Sequence, residues 1–247
     1  MHSFDDFSQF CVGCTEFVYH VLKKSQNRDK PWEIKHDGTR VTEVDFLIED
    51  KLREQITKTF PNHGIIGEER EPLNANADYI WILDPIDGTF GFSKGVPLFG
   101  SLIGLTYKGE PKYGFLRLPM INNTWIAGDC LQSYIDGKLL KPKPFLGWED
   151  SLILTTDQQT LANSPILKYW QKAIQLGATT RTWGDCFGYY LLCLGEADLV
   201  VDTGLKPYDI LPLIPILLGA GMEVNQLGRD DFSEIMAGRK NVLSDLI

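Results

Sequence analysis

The chain has 247 residues, 43% of them hydrophobic, and a formal net charge of −9. That apolar content supports one large domain or two closely packed halves. The acidic balance argues against a nucleic-acid partner and against a basic membrane-binding surface. No run of about 18 uninterrupted apolar residues occurs, so no membrane-spanning helix is expected. The start, Met1-His2-Ser3-Phe4-Asp5-Asp6, lacks the basic region of a signal peptide.

In chain order, a helix is expected over residues 3–24 with Ser3 as its cap. Its apolar face includes Phe7, Phe10, Cys11, Cys14, Phe17, Val18 and Val21. That face makes Cys11 and Cys14 core residues rather than a zinc half-site, because no second ligand pair completes one. The five cysteines show no framework spacing and read as reduced thiols of a cytoplasmic protein. A polar stretch covers residues 25–40. A second helix is expected over residues 42–59, with Val44, Leu47, Ile48, Leu52 and Ile56 at helical spacing. Strands follow near Gly64, Tyr79, Ser101, Lys112 and Asn123, in an antiparallel or mixed sheet. The Pro/Gly/Trp-rich segment 141–148 is the boundary candidate, dividing the chain into halves 1–147 and 148–247. Beyond it come a strand near Leu152, a helix over 161–176 and a strand near Ala178. A helix near Phe187, a strand over 197–201 and a helix at Asp209 complete the chain, the last heading the apolar stretch 210–222.

Three acidic elements carry the chemistry. The hexapeptide Asp84-Pro85-Ile86-Asp87-Gly88-Thr89 follows an apolar strand, residues 79–83. Pro85 fixes its own φ and Gly88 permits a turn that other residues resist, so both carboxylates and the Ile86 carbonyl can face one spot. Gly64-Ile65-Ile66-Gly67-Glu68-Glu69 delivers two glutamates at a strand end, of which one is expected to face the site. Gly204-Leu205-Lys206-Pro207-Tyr208-Asp209 places a carboxylate at a helix start. Each alone has a plain reading: an Asp/Pro/Gly turn, a solvated charge pair, a favourable first-turn acid. Clustered, they are hard oxygen ligands suited to Mg²⁺ or Mn²⁺.

Together these elements resemble the motif set of the inositol monophosphatase family, from the first helix to the last residues. Trp183-Gly184-Asp185-Cys186-Phe187-Gly188-Tyr189, Gly204 to Asp209 and Ala220-Gly221 are similar to its histidinol-phosphatase branch. The resemblance implies an α/β chain of mixed α+β type. Its fold would be a layered αβαβα sandwich of the inositol monophosphatase and fructose-1,6-bisphosphatase type, with the metal site where the halves meet. It implies two or three Mg²⁺ ions, with Mn²⁺ as a substitute, held by Glu68, Asp84, the Ile86 carbonyl, Asp87 and Asp209. Glu68 and Thr89 would orient the attacking water, Asp45 would polarise the Thr89 hydroxyl, and the Gly88 and Thr89 amides would hold the phosphate. Asp45 also stands at capping-box spacing from Thr42, which competes for the same carboxylate. Lys35 lies in a loop that approaches the metals in the family. Asp185 and Asp202 are the candidates to receive a substrate ammonium.

Two departures stand out. Phe90-Gly91-Phe92-Ser93 replaces the Arg-Ala-Phe-Ile often found in histidinol phosphatases, and Met222 ends a run that in the family often closes on glycine. The activity implied is hydrolysis of L-histidinol phosphate, a small phosphorylated metabolite of histidine biosynthesis, by a homodimer without membrane or nucleic-acid partners. The alternatives are an inositol or sugar-phosphate phosphatase of the same mechanism, and a metal-binding regulatory protein without turnover.

Overall fold

In the computed structural model, which describes residues 3–25, 32–34, 40–227 and 232–247, the first helix starts on a reciprocal cap. The Asp6 N–H donates to Ser3 Oγ at 3.1 Å, and the Ser3 N–H donates to the Asp6 carboxylate at 3.3 Å. This helix, α1 (Phe4–Ser25), buries Phe7, Cys11, Cys14, Val18 and Leu22 along one stripe. Burial pushes the Cys14 thiol up to about 12, as befits a core cysteine. A short antiparallel ladder, β1 (Trp32–Ile34) and β2 (Arg40–Thr42), occupies the described part of the polar stretch and leads into α2 (Glu43–Thr59). Lys35 lies outside the described residues.

The next elements are β3 (Gly64–Gly67), β4 (Tyr79–Asp87), the short helix α3 (Thr89–Ser93), β5 (Gly100–Tyr107) and β6 (Glu110–Leu118). They are followed by β7 (Thr124–Gly128), β8 (Ser133–Ile135) and β9 (Lys138–Leu139). Among the described residues, β3 to β9 form a seven-stranded sheet in sequence order, parallel only between β3 and β4. The second half contributes β10 (Leu152–Leu154), α4 (Gln158–Ala162), α5 (Leu167–Gln175), β11 (Thr179–Arg181) and α6 (Asp185–Leu194). It ends with β12 (Leu199–Thr203), α7 (Pro207–Ile210), α8 (Ile214–Gly219), β13 (Glu223–Gln226), β14 (Glu234–Gly238) and α9 (Lys240–Leu246). Its strands run in the order β11-β10-β12-β14-β13.

The period-two alternation of each strand sorts the core into layers. Trp81, Leu83, Ile103, Leu105 and Phe115 face α1 and α2. Leu102, Leu116 and Leu118 face inward, onto Tyr189 and Leu192 of α6, Ile216 and Leu217 of α8, and Leu154, Val200 and Ala237 of the second sheet. Ile153, Leu199, Val201 and Met236 face outward onto Trp170 of α5 and Leu243 of α9. The layers are therefore αβαβα, and both sheets contribute to the central core. No helix among the described residues is long and apolar enough to cross a membrane.

Two helices differ from expectation, for the same reason. The helix expected over 161–176 is broken between α4 and α5 at Ser164-Pro165, because proline supplies no N–H and disfavours helix in the residue before it. The apolar stretch 210–222 is likewise divided at Pro212, between α7 and α8, whereas Pro215 sits in the first turn of α8, where proline is tolerated. The strand expected over 197–201 lies two residues later, at Leu199–Thr203.

The joint between α7 and α8 approaches the first sheet unusually closely. Gly104, Gly114 and Gly128 sit directly opposite one another on β5, β6 and β7. A Cβ at Gly104 would lie 3.0 Å from Pro212 Cα, and one at Gly128 would lie 2.6 Å from Ile216 Cα. One at Gly114 would overlap the Pro212 carbonyl oxygen. This glycine row is the floor on which residues 212–216 rest, three residues beyond Asp209.

Candidate metal centre

A regular strand would separate Asp84 from Asp87, since residues an odd number apart point to opposite faces. Here β4 carries a bulge. Asp84 pairs with Leu102 and Asp87 with Gly100, so three steps on β4 match two on β5. The extra residue restores parity. Leu83 and Ile86 both face the α1/α2 core, while Asp84 and Asp87 both face inward. Ser101 Oγ secures the bulge by donating to the Pro85 carbonyl at 2.5 Å. Gly88, at φ 88°, then turns the chain into α3.

Carboxylate oxygens of Asp84, Asp87 and Asp209 all lie within 4.8 Å of one another. Asp84 is 1% exposed, and its Oδ1 has no hydrogen-bond partner. Burial, then the charges of Glu68, Asp87 and Asp209 and a hydrogen bond with Glu68, raise the Asp84 pKa well above the usual range. Asp87 is raised by burial and by Asp185 and Asp209, against the opposing N–H of Cys186. Asp209 is pushed up to about 7, by burial first and by Glu68 and Asp185, although its carboxylate also caps α7 through the Lys206 N–H at 2.7 Å. Buried carboxylates that repel one another, with an oxygen left unpartnered, fit a divalent cation with hard ligands.

Glu68 enters from the end of β3. Because Gly67 pairs with Leu83, and the Glu68 N–H donates to the Leu83 carbonyl at 3.1 Å, Glu68 stands beside Asp84. A residue not singled out from sequence holds this turn. Glu49 on α2 is fully buried, accepting the Glu69 N–H and Arg53 Nε–H, each at 2.7 Å. Gly67 passes directly over its carboxylate, with no room for a Cβ.

Asp45 divides its two oxygens. Oδ2 completes the capping box, accepting the Thr42 N–H at 2.8 Å and the Thr42 hydroxyl at 2.5 Å, while Oδ1 lies 3.5 Å from Thr89 Oγ1. The Thr89 hydroxyl donates to the Ile86 carbonyl at 2.7 Å. Capping and the approach to Thr89 thus coexist on one carboxylate. Burial pushes Asp45 up to about 6, the Thr42 hydrogen bonds pulling the other way.

Asp185 begins α6, with Oδ2 at 3.2 Å from where a Gly88 Cβ would be. Burial, then the charge of Asp202, push it up to about 7. Asp202, expected to face a substrate, is instead fully buried on the inner face of β12. It accepts hydrogen bonds from the Thr156 N–H at 2.6 Å, the Thr156 hydroxyl at 3.1 Å, the Tyr189 hydroxyl at 3.0 Å and the Thr155 hydroxyl at 3.4 Å. With both oxygens engaged and no exposure, its carboxylate is turned to Thr155, Thr156 and Tyr189.

These directions predict how pH acts on the metal-free protein. Folding raises Asp45 to about 6 and Asp185 and Asp209 to about 7, from an unfolded value of about 3.9. Across that window the native state holds more protons than the unfolded chain, so stability falls as pH rises from about 4 to about 7. A divalent ion relieves the repulsion and binds only the deprotonated carboxylates. Mg²⁺ should therefore raise the unfolding temperature relative to EDTA by more at pH 8 than at pH 5. An equal gain at both values would contradict the prediction.

The profile of the inositol monophosphatase family matches residues 9–241, and the chain belongs to that family. Among curated relatives, it is 35% identical over 190 residues to a "Bifunctional phosphatase IMPL2, chloroplastic" of Arabidopsis thaliana, covering 76% of this chain but 54% of the plant protein, about half its length. It is 32% identical over 187 residues to a histidinol-phosphatase of Chlorobaculum parvum strain DSM 263, covering 76% of this chain and 72% of that protein. Among solved structures, an inositol monophosphatase from Zymomonas mobilis superposes with a TM-score of 0.82 at 27% identity, covering 100% of this chain and 98% of that one.

Proposed function

We propose that this chain is a Mg²⁺-dependent phosphatase that hydrolyses L-histidinol phosphate to L-histidinol and phosphate. The observation that carries the substrate reading is the Asp185 carboxylate beside the Gly88 turn. A polyol phosphate gives that carboxylate no counter-charge, whereas the ammonium of histidinol phosphate does, and a desolvated ammonium needs such a partner. The likeness to a histidinol-phosphatase of Chlorobaculum parvum supports the same reading.

Asp84, Asp87, Asp209, Glu68 and the Ile86 carbonyl would hold the metal. Bound Mg²⁺ supplies charge neutralisation for the phosphate dianion, steadies the leaving oxygen and acidifies water. The protein's own groups do the rest. The Gly88 and Thr89 amides receive phosphate oxygens at the left-handed turn. Glu68 and the Thr89 hydroxyl orient the attacking water along the line of the ester bond. Asp45 Oδ1, 3.5 Å from Thr89 Oγ1, would polarise the Thr89 hydroxyl by accepting its hydrogen bond. Asp185 receives the ammonium. The free cysteines suit the reducing cytoplasm, in which we place a homodimer.

The test is phosphate release with Mg²⁺ from L-histidinol phosphate and from inositol 1-phosphate at equal concentration. We expect a strong preference for the former, and Asp185→Asn should reduce its kcat/KM by about 10²-fold while affecting inositol 1-phosphate far less. A preference for inositol 1-phosphate, or equal loss on both substrates, would overturn the substrate reading and keep the metal chemistry.

A further inference from the structure

Asp185 has a φ of 49°, a left-handed conformation that a residue other than glycine holds only when its surroundings impose it. Thr156, just beyond β10, supplies the constraint. The Asp185 N–H donates to Thr156 Oγ1 at 2.8 Å. That hydroxyl donates to Asp202 Oδ2 at 3.1 Å, while the Thr156 N–H donates to Asp202 Oδ1 at 2.6 Å. Asp202, fixed also by Tyr189, cannot turn. Because the Thr156 proton is committed to Asp202, its oxygen presents a lone pair to Asp185. Among residues of this size, only threonine and serine can do both at once. Gly184 permits the contact, since a Cβ there would overlap Thr156. At the far end of the chain of bonds, Asp185 Oδ2 lies against Gly88.

We infer that Thr156 is a positioning residue that aims the Asp185 carboxylate at the cationic end of an ammonium-bearing phosphomonoester, with Asp202 as its buried anchor. The inference rests on the substrate reading above. Thr156 touches neither the metal carboxylates nor the reacting atoms. Its loss therefore acts on discrimination between substrates more than on hydrolysis itself, and acts through KM.

The experiment measures kcat and KM, with Mg²⁺, for L-histidinol phosphate and inositol 1-phosphate. The variants are Thr156→Val, which keeps shape and removes the hydroxyl, Thr156→Ser, which keeps the hydroxyl, and Asp185→Asn. Thr156→Val should lower the ratio of the two kcat/KM values by about tenfold, the scale of one aligned hydrogen bond in a charged network, and Thr156→Ser should restore most of it. A purely structural role for Thr156 would lower both kcat/KM values together. If the ratio survives Thr156→Val while Asp185→Asn collapses it, the positioning role is overturned and the substrate reading stands. If the wild-type chain shows no preference, the substrate reading is overturned, and the role of Thr156 falls with it. If Thr156→Val does not fold, Thr156→Ala, which adds no group against Gly184, is judged by the same ratio.

Discussion

Replacing Asp84 by asparagine should reduce phosphate release from every monoester by about 10³-fold or more, and should at the same time make the metal-free protein more stable. Both effects follow from one arrangement. Asp84 is almost fully buried, its Oδ1 has no hydrogen-bond partner, and Glu68, Asp87 and Asp209 crowd it with like charge. Without a cation this is a cost, and it raises the pKa of the carboxylate. Asparagine keeps the shape, removes the charge and lets an amide N–H donate to a neighbouring carboxylate. Each kcal/mol of repulsion removed should raise the unfolding temperature in EDTA by about 2–4 °C for a chain of this size. The loss of turnover follows because charge stabilisation by a bound metal supplies several kcal/mol at the transition state, and each 1.36 kcal/mol is about tenfold in rate. The two readouts are phosphate release and the unfolding temperature with EDTA and with Mg²⁺. A drop in the EDTA melting temperature, with the Mg²⁺ gain intact, would make Asp84 a structural residue and sink the metal assignment.

The acidic hexapeptide is legible in the sequence because an apolar run, a proline and a glycine frame it, and those features act locally. The parity of its two aspartates is not legible. It depends on a bulge against β5, so it is fixed by a partner strand some fifteen residues away rather than by the hexapeptide itself. Glu49 and Arg53 stand at i,i+4 spacing on α2, and nothing in that spacing marks Glu49 as buried. Only the approach of Gly67 and Glu69 turns Glu49 into a buried support. The family resemblance makes Asp202 a substrate-facing acid, but the alternation of β12 points it at Tyr189 and Thr156, whose groups donate to both its oxygens. The helix positions follow largely from periodicity, and the layered fold from the family resemblance alone. Pro165 and Pro212 mark the two helix breaks in the sequence itself, since proline supplies no N–H to continue a helix.

The largest stability effect is expected at a glycine outside the metal ligands. Gly114→Ala would place its methyl on the Pro212 carbonyl oxygen and 3.1 Å from Ile216 Cγ1. The first of these atoms belongs to the backbone and cannot move aside as a flexible side chain would. Either β6 or the 212–216 segment must shift, and both are tied down, by β5 and β7 on one side and by α8 in the central core on the other. Overpacking of this kind costs about 3 kcal/mol or more, which corresponds to a fall in unfolding temperature of roughly 6–12 °C. Asp209 lies three residues before Pro212, so the displacement should also weaken Mg²⁺ binding, read as a smaller Mg²⁺-dependent gain in melting temperature. Gly104→Ala, whose nearest contact is 3.0 Å, should be milder. Gly13→Ala is the control: it lies within α1 with nothing inside 4 Å of its Cβ, and alanine there should stabilise by about 0.5–1 kcal/mol. If Gly114→Ala melts with the wild type and keeps the full Mg²⁺ gain, the glycine row does not position Asp209, and the carboxylate must owe its place to α7 alone.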